Sequence, residues 1–428
     1  MTVAAELPME IINNIMEIAI DTLDPQSVSS ITLLSHQFRV MVNKERFFHL
    51  NFDSDTSWNE LHGLATLFEQ AAGIAIRGIQ TFIASIYIRI EDDCDYDEIQ
   101  PHITIFKHLF RHDAILHTPI RKLSLYITNV AGLLSVDPAL DYSLRSLLSE
   151  SHVNFLELCQ SWEIPYDLLH RSKIEHLSLL CVGGLSKHFV TRNLNPVNLK
   201  SLTISLYDGS QFKITDLMTL LGALESSCFS YMTSLTISTS FVHFARKLLE
   251  LTQCLETLTI KCAEELYQTP SHVSGNSLFN YHLLPHLKNL NISYALDISC
   301  TYPLASSTDC LVGHLLPSHL DKLCIDIRLL DVVDHHLHGP DYGLVESGAL
   351  LQEAVAWDER LSSLVRGKAK HPVVHINIHI HRRFMETQYH SPIWKDCWRQ
   401  HFLNAFSTCR TSMKHFFLSI DTTSKAYD

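Results

Sequence analysis

The sequence lacks any run of 18 uninterrupted apolar residues, so it predicts no membrane-spanning helix. It also lacks a basic start and an apolar h-region, because Met1 leads straight into an amphipathic segment, and we expect no signal peptide. Its 11 cysteines include no Cys-x-x-Cys pair. Their odd number and scattered positions predict buried, reduced thiols of an intracellular protein, in the cytoplasm, the nucleus or both.

Positive charge is scarce as well. The 33 Lys and Arg residues are outnumbered by 46 Asp and Glu residues, which gives a net charge of −13, and no long basic run occurs. We therefore expect no binding of nucleic acid. Hydrophobic residues make up 46% of the chain and charged residues 18%, a composition typical of a packed protein.

Motifs of the common enzyme classes are also missing. The chain has no Gly-x-Gly-x-x-Gly, Walker loop, His-Glu-x-x-His or Gly-x-Ser-x-Gly. Ser210-x-x-Lys213 has the spacing of a Ser/Lys nucleophile pair, but so short a motif arises by chance in most chains of this length. We predict a non-catalytic protein without a cofactor.

The first fifty residues carry three short amphipathic segments. Pro8 suits the first turn of a helix, and apolar residues recur at helical spacing from Ile11 to Ile20. Asp24-Pro25 supplies a cap and a first residue for a second helix, and a third segment runs from Phe38 to Leu50. Three such helices are too few for a stable core, so we expect another surface to cover their apolar residues.

This stretch resembles an F-box, which has a Leu-Pro-x-Glu opening, a Leu-Asp-Pro linker, and a hydrophobic pair followed by Ser and an aromatic residue. The corresponding segments are Leu7–Glu10, Leu23–Pro25, Leu33–Ser35 and Phe38. The spacing before Leu23 is about four residues longer than usual, roughly one helical turn, and Phe38 replaces the usual Trp. The resemblance implies docking on the Skp-family adaptor of a cullin–RING ubiquitin ligase. The implied adaptor contacts are Leu7, Pro8, Ile11, Ile12, Ile15, Leu33, Leu34 and Phe38.

A second pattern, apolar-x-x-apolar-x-apolar, recurs eleven times after residue 58. Its copies start 21 to 53 residues apart, a range that overlaps the leucine-rich-repeat period. Each copy predicts a strand. The copies begin at Ile83, Ile120, Val153, Ile174, Leu199, Met232, Leu255, Leu287, Leu320, Val373 and Met413.

Stretches with helical periodicity lie between many of these copies. A strand, a helix and a parallel strand form a right-handed crossover, so stacked units of this kind predict a solenoid. The predicted helices are Trp58–Ala72, Asp97–Arg111, Asp216–Cys228, Phe244–Cys254, Leu344–Arg366 and Ile393–Ser407.

In each strand, the residue between the last two apolar positions faces the other side of the sheet. Small and polar types dominate there, as a solvent-facing concave surface requires, whereas a doubly wound sheet would give continuously apolar strands. We interpret these positions as weak candidates for binding a protein substrate. They are Ser124, Glu157, Ser178, Thr203, Thr236, Thr259, Asn291 and Asn377, with Cys324 in an equivalent place.

The second part of the chain resembles the leucine-rich-repeat domains found behind F-boxes. The expected fold is α/β, with a three-helix F-box at 1–52 and an irregular leucine-rich-repeat-like solenoid at 53–428. The alternative is a generic α/β domain whose strands fit a loose pattern. The Asn or Cys that usually follows each repeat strand is absent, at positions that include Thr128, Ser161, Val182, Ala295 and Arg328.

Repeat lengths vary, so we expect insertions, and the last hundred residues depart most from the pattern. The expected insertions include Tyr267–Asn280, Asp297–Cys310 and Asp331–Gly348. Helices at 349–366 and 392–408 would cap the solenoid, because terminal repeats need a cover. The second helix carries Trp394, Trp398, Phe402 and Phe406.

Two histidine groups and one basic group have residue types that could bind a ligand. A His-x-His on a strand can hold a transition metal, but no acidic or Cys partner is placed by spacing, so we predict no metal site. Basic residues can capture an acidic or phosphorylated segment, although a solvated loop is the plainer reading. The groups are His375, His379 and His381; Asp331, Asp334, His335, His336 and His338; and Arg366, Lys368, Lys370, Arg382 and Arg383.

The resemblances imply the substrate-recognition subunit of a Skp–cullin–F-box ligase, with an unknown protein substrate on the repeat domain. Two alternatives remain open. In one, the chain is a repeat scaffold whose N-terminal helices only cap the solenoid, and in the other the His375 strand carries a metal or an enzyme site. An adaptor-docking surface would be apolar and open, whereas capping helices would be buried.

Overall fold

The computed structural model describes the chain in seventeen ranges of residues. Within these ranges, no helix has the length and apolar composition that a membrane span requires. The chain divides into two compact units, 1–178 with 182–197, and 179–181 with 198–428. The ranges are 9–34, 36–52, 58–71, 82–90, 96–109, 120–136, 138–186, 194–205, 212–222, 226–238, 242–262, 281–297, 319–333, 354–359, 361–363, 372–384 and 392–426.

The fold is α/β, with a parallel sheet of twelve strands that follow one another in chain order. This confirms the expected fold class at that level. The strands are β1 His49–Phe52, β2 Ser85–Ile90, β3 Lys122–Ile127, β4 Phe155–Cys159, β5 His176–Leu180, β6 Ser201–Ser205, β7 Ser234–Ser238, β8 Thr257–Cys262, β9 Asn289–Asp297, β10 Lys322–Val333, β11 Val373–Phe384 and β12 Phe416–Ala426.

Helices occupy many of the segments between the strands, as the periodicity predicts. Residues 354–359 and 361–363 are also helical, and Ser226–Phe229 and Tyr281–Leu283 are 3₁₀ turns. The helices are α1 Met9–Thr22, α2 Pro25–Ile31, α3 His36–Phe48, α4 Trp58–Ala71, α5 Tyr96–Leu109, α6 Val130–Val136, α7 Pro138–Glu150, α8 Ile214–Leu220, α9 Val242–Leu251, α10 Pro392–Ala405 and α11 Ser407–Ser412.

In the first unit, apolar residues of neighbouring strands form rows, each row being a set of residues paired in register across the sheet. One row on β2, β3 and β4 consists of Ile86, Leu123 and Leu156, which are completely buried. The row two residues further along consists of Ile88, Leu125 and Leu158 and is almost completely buried. In both units together, the first nine predicted copies bury all three of their apolar positions. These strand predictions are confirmed.

The strand β1 follows α3 directly. Its residue Leu50 pairs with Ile86, so the last residues of the predicted N-terminal module belong to the sheet. The boundary between residues 52 and 53 stays a prediction.

In the second unit, the tenth predicted copy is displaced by two residues. Leu323 of β10 pairs with Val374 of β11, and Val374 pairs in turn with Phe416 of β12. The apolar pair of β11 in these rows is therefore Val374 and Ile376, not Ile376 and Ile378. The sequence prediction was wrong because Ile376, Ile378 and Ile380 all face inward and fit the pattern equally well.

Three of the turns that lack the repeat-type Asn or Cys, at Thr128, Ser161 and Val182, are joined in series by backbone hydrogen bonds. The N–H of Trp162 donates to the carbonyl of Thr128 at 2.6 Å, and the N–H of Gly183 donates to the carbonyl of Ser161 at 2.8 Å. A Cβ on Gly183 would lie 2.9 Å from a Trp162 ring atom, so a larger residue there would displace Trp162. Neighbouring turns thus satisfy each other without a side-chain ladder.

Two other turn positions prove to be strand residues. Ala295 lies in β9 and Arg328 in β10, and the two pair with each other. Pairing continues to Val333, so residues 331–333, expected in an insertion, belong to β10. The other expected insertions lie outside the described residues, apart from Asp297 at the end of β9.

Two helix predictions also need correction. The segment 216–228 is not one helix, because Gly222 adopts a φ of 70° after α8 and so ends it, and a 3₁₀ turn follows at 226–229. The segment 392–408 is two helices, since Phe406 has non-helical dihedral angles between α10 and α11. Phe402 and Phe406 are buried, whereas the side chains of Trp394 and Trp398 lie outside the described part.

A buried carboxylate caps the N-terminus of α11 from a distant segment. Asp358 accepts from the backbone N–H of Thr408 at 2.8 Å and of Cys409 at 2.6 Å, and it is almost fully buried. The Ser362 hydroxyl donates to the Asp358 carbonyl at 2.6 Å. This contact ties together segments about fifty residues apart and supplies negative charge where a helix N-terminus favours it.

We expect Asp358→Ala to lower the free energy of unfolding by about 2–3 kcal/mol, because two backbone N–H groups lose their acceptor. Denaturant unfolding followed by circular dichroism measures the effect. The matched control is Glu359→Ala, which removes the neighbouring exposed carboxylate and should change stability little. Equal effects of the two substitutions would contradict the capping role.

Candidate functional site

The helices α1–α3 share a small apolar core. Met16, Val28 and Val42 are buried in it, and partly buried residues pack around them. Ile12 and Phe38, two predicted adaptor contacts, belong to that surrounding set, so they stabilise the module. The other surrounding residues are Ile20, Ile31 and Met41.

Asp24 caps the start of α2, as the sequence predicts. Its carboxylate accepts from the backbone N–H groups of Gln26 and Ser27, both at 3.0 Å, and from the Ser27 hydroxyl. The hydrogen bonds from Ser27 hold the pKa of Asp24 below its usual value. The cap sets where α2 begins after the turn from α1.

A second apolar face of α1 is exposed. Ile11, Ile15 and Ile18 leave 44%, 53% and 63% of their surface open. Their spacing of four and three residues places them along one side of the helix, and we call them the α1 stripe. Most surface helices have one apolar side and one polar side, so the α1 stripe indicates a binding surface.

Two leucines after α2 are even more open. Leu33 is 76% exposed and Leu34 is 74% exposed, at a turn in which their N–H groups bond to Ser30 and Ile31. Of the eight predicted adaptor contacts, Ile11, Ile15, Leu33 and Leu34 are therefore open to a partner. Leu7 and Pro8 lie outside the described residues. The prediction missed Ile18, which the helical spacing from Ile11 and Ile15 could have revealed.

In the first unit, cations lie beside aromatic rings on the polar side of the sheet, which is the face opposite the buried apolar rows. The Arg89 guanidinium lies 4.6 Å from the ring centroid of Tyr126, and the Lys122 ammonium lies 4.8 Å from that of Phe155. Lys122 also pairs with Glu157 at 3.9 Å. Such cation–π contacts orient the cations along this side of the sheet.

Two predicted substrate contacts are not open to solvent. Ser124 and Ser178 are buried, so the expectation of a solvent-facing position is wrong for them. Ser124 pairs with Tyr87 on one side and Glu157 on the other, and a small side chain between two larger ones is shielded. The remaining predicted positions are partly exposed.

In the second unit, a polar row crosses the strands β6 to β11. Within it, the amide of Asn291 donates to the Thr259 hydroxyl at 3.2 Å. Asn377, predicted to belong here, lies one row further along, opposite Asp326, because β11 is shifted by two residues relative to the prediction. The row consists of Thr203, Thr236, Thr259, Asn291, Cys324 and His375, and we call it the polar row.

A hydrogen-bonded cluster lies at the β10–β11 end of the polar row. The Asn377 amide donates to Asp326 at 2.6 Å and contacts the Cys324 sulfur at 3.6 Å. Partial burial and the Asp326 carboxylate raise the pKa of Cys324, so its thiol stays protonated. The His375 ring stacks on Phe417 with centroids 4.8 Å apart. The cluster offers donors, acceptors and one aromatic surface to a ligand.

His375 and His379 lie on the same face of β11, as predicted, while Ile376 and Ile378 between them are buried. His379 lies 3.8 Å from Asp421 of β12. Among the described residues, no group of three or more His, Cys, Asp or Glu side chains is placed to hold a metal ion. The side chains of His381, Arg382 and Arg383 lie outside the described part, as do residues 334–338 and 366–370.

Two comparisons with known proteins provide no function that could be transferred to this chain. No protein-family model matches the chain, and no curated protein matches it. The candidate site therefore consists of two surfaces argued from their own chemistry, the α1 stripe with Leu33 and Leu34, and the polar row.

The described cysteines should differ in reactivity, since burial raises the pKa of Cys228 to about 11 and, with Asp358, that of Cys409 to about 12. The thiolate is the reactive form, so at about pH 8 both thiols resist alkylation. Exposed Cys254 should react first with iodoacetamide, as measured by peptide mass spectrometry. After unfolding in denaturant, all three should react at similar rates; native Cys409 reacting as fast as Cys254 would refute its burial.

Proposed function

We propose that this chain is the substrate-recognition subunit of a Skp–cullin–F-box ubiquitin ligase. Its N-terminal helices would dock a Skp-family adaptor, and the polar side of its sheet would bind a protein substrate. The observation that supports this best is the exposed α1 stripe, because an apolar side of a small helical module favours a partner. Leu33 and Leu34 add two more exposed apolar side chains to the module.

The proposal treats the repeats as an irregular leucine-rich-repeat-like solenoid. Parallel strands in chain order, with helices or 3₁₀ turns in many connections, support that interpretation. The partly exposed Thr and Asn side chains of the polar row are suited to bind a polar segment of another protein. The contribution of the chain is proximity, since it would hold the substrate beside a ubiquitin-loaded enzyme and perform no chemical step itself.

The second candidate is a repeat scaffold whose N-terminal helices cap the sheet. The observation in its favour is the direct passage from α3 into β1, where the carbonyl of Phe48 accepts from Ala84 at 2.9 Å. A pure capping role leaves the exposure of the α1 stripe without a purpose, so we prefer the receptor. In either role we place the protein in the cytoplasm or the nucleus, consistent with free thiols at the described cysteines.

We expect the double substitution Ile15→Asp with Ile18→Asp to weaken adaptor binding by about 100-fold. Each of the two isoleucines, once covered by the adaptor, would contribute about 1.5 kcal/mol or more to the binding free energy. Calorimetry with a purified Skp-family adaptor measures the affinity. Circular dichroism should be unchanged, since both side chains are already exposed.

The control for this experiment is Glu17→Ala, which alters an exposed residue of the same helix outside the α1 stripe. It should leave adaptor affinity within about twofold of wild type. The receptor role is wrong if the wild-type chain does not bind the adaptor, or if the double aspartate variant binds it equally well.

A second experiment separates substrate binding from adaptor binding. Thr236→Arg with Thr259→Arg places two long cations on the polar row and should remove the proteins that co-purify through it. The adaptor should still co-purify, as measured by quantitative mass spectrometry. The control Glu250→Arg changes an exposed residue of α9. Loss of the same proteins from both variants would argue against the polar row as the binding surface.

A further inference from the structure

The C-terminal helices carry a stretch in which positive charge is not balanced by acid. Residues 397–420 include Arg399, Arg410 and Lys414 but no Asp or Glu. The whole chain, in contrast, has 46 Asp and Glu residues against 33 Lys and Arg residues. This stretch is therefore positive within a negatively charged protein.

The three cations are exposed, and no acid forms an ion pair with them in the described part of the chain. Among the described residues, the side chains of Arg399 and Lys414 have no hydrogen-bond or ion-pair partner. Arg410 donates one hydrogen bond, to the Leu403 carbonyl at 3.2 Å. Asp396, three residues before Arg399, is also exposed but does not pair with it. A partner can therefore reach all three positive charges.

The backbone brings these cations to the C-terminal half of α10 and the end of α11. Leu403 lies four residues after Arg399, so the two share one side of α10. The contact with the Leu403 carbonyl places the Arg410 guanidinium beside the last turn of that helix, where the helix dipole favours positive charge. Lys414 follows Arg410 by four residues across the end of α11. We call Arg399, Arg410 and Lys414 the basic surface.

The helices under the basic surface are fixed in place. Phe402 and Phe406 are buried, which anchors α10 and its junction with α11. Asp358 accepts from the backbone N–H groups of Thr408 and Cys409 and so holds the start of α11. The carboxylate of Asp358 is almost fully buried, so it does not compete with a partner at the surface. Because the helices are already ordered, binding costs less entropy.

Charge complementarity requires an anionic partner, and the small size of the basic surface favours a protein segment. Electrostatic attraction fades beyond about 8 Å at physiological ionic strength. A nucleic acid or a membrane extends far beyond that distance, so it would also face the excess of acids in a chain of net charge −13. Nucleic-acid binding commonly uses roughly 6–10 phosphate contacts, more than these cations supply. A short acidic segment avoids both disadvantages.

We propose that the basic surface binds an Asp- and Glu-rich segment of a partner protein. Each carboxylate accepts charge-assisted hydrogen bonds from a guanidinium or an ammonium group. The basic surface shares no residue with the α1 stripe or the polar row, so this site goes beyond the adaptor and substrate contacts proposed above. It is tested on the purified chain without an adaptor.

The experiment measures the fluorescence anisotropy of a labelled peptide that alternates Glu and Ser, titrated with the full chain. We expect saturable binding that weakens at least about tenfold when salt is raised from about 50 mM to about 500 mM, because screening removes the attraction. The same peptide with Gln in place of Glu should not bind. A dissociation constant above about 1 mM at the lower salt concentration, or affinity independent of salt, would overturn the proposal.

The double variant Arg399→Glu with Lys414→Glu should bind the acidic peptide at least about tenfold more weakly, because each change replaces an attraction with a repulsion. Both side chains are exposed and without partners, so circular dichroism should be unchanged. The control is Lys247→Glu with Lys261→Glu, which changes the net charge equally at two exposed residues of α9 and β8. It should leave the affinity within about twofold of wild type. Equal losses in the two variants would refute a local site.

Two further probes decide between anionic partners. A labelled single-stranded oligothymidylate, and vesicles containing about 30% phosphatidylserine, should both bind more weakly than the acidic peptide. Tighter binding of either probe would overturn the assignment to a protein segment. Loss of adaptor binding with retained peptide binding would instead refute the receptor role alone, so the two proposals fail separately.

Discussion

Burial of two adjacent apolar rows beneath a parallel sheet is the constraint on which the rest of this structure depends. Ile86, Leu123 and Leu156 in the first unit and Leu323 and Val374 in the second are almost completely buried. Each such side chain contributes roughly 1.5–3 kcal/mol relative to an exposed one. Because side chains alternate along a strand, the same pairing places every intervening residue on the opposite face, where it is free to vary.

The N-terminal helices follow a different logic. Their core of Met16, Val28 and Val42 is small, and a module of this size gains little from its own burial. Exposed apolar side chains are costly for such a module unless they meet a partner, and the exposed ones include Ile11, Ile15, Ile18, Leu33 and Leu34. This imbalance between a small interior and several exposed apolar side chains is the physical basis for proposing that the module binds a partner.

Much of the fold could be predicted from the sequence, because strand periodicity reports burial directly. The strand copies that begin at Ile83 to Leu320 follow from this periodicity, and the cap at Asp24 follows from the local Asp-Pro pair. The pairing register of an evenly apolar strand could not be predicted from the sequence. Ile376, Ile378 and Ile380 fit the pattern equally well, and only the paired residues of β10 and β12 decide between them. The distant cap at Asp358 has no local signal either.

For the candidate site, residue types proved more predictable than accessibility. The sequence indicates that Ser124 lies on the polar side, but its burial depends on the size of Tyr87 and Glu157 beside it. Similarly, the motif resemblance groups Ile12 with Ile15, whereas helix geometry turns one toward the core and leaves the other open.

Because the strands pair in chain order, the lengths of their connections can vary independently of the side chains in the polar row. The strand β10 ends at Val333 and β11 begins only at Val373, yet the two pair directly, just as closely spaced strands do. A connection can therefore lengthen or shorten without moving Thr259 relative to Asn291, because their spacing is set by hydrogen bonds between neighbouring strands. Insertions in this protein should therefore accumulate outside the sheet, while the side chains of the polar row change one at a time.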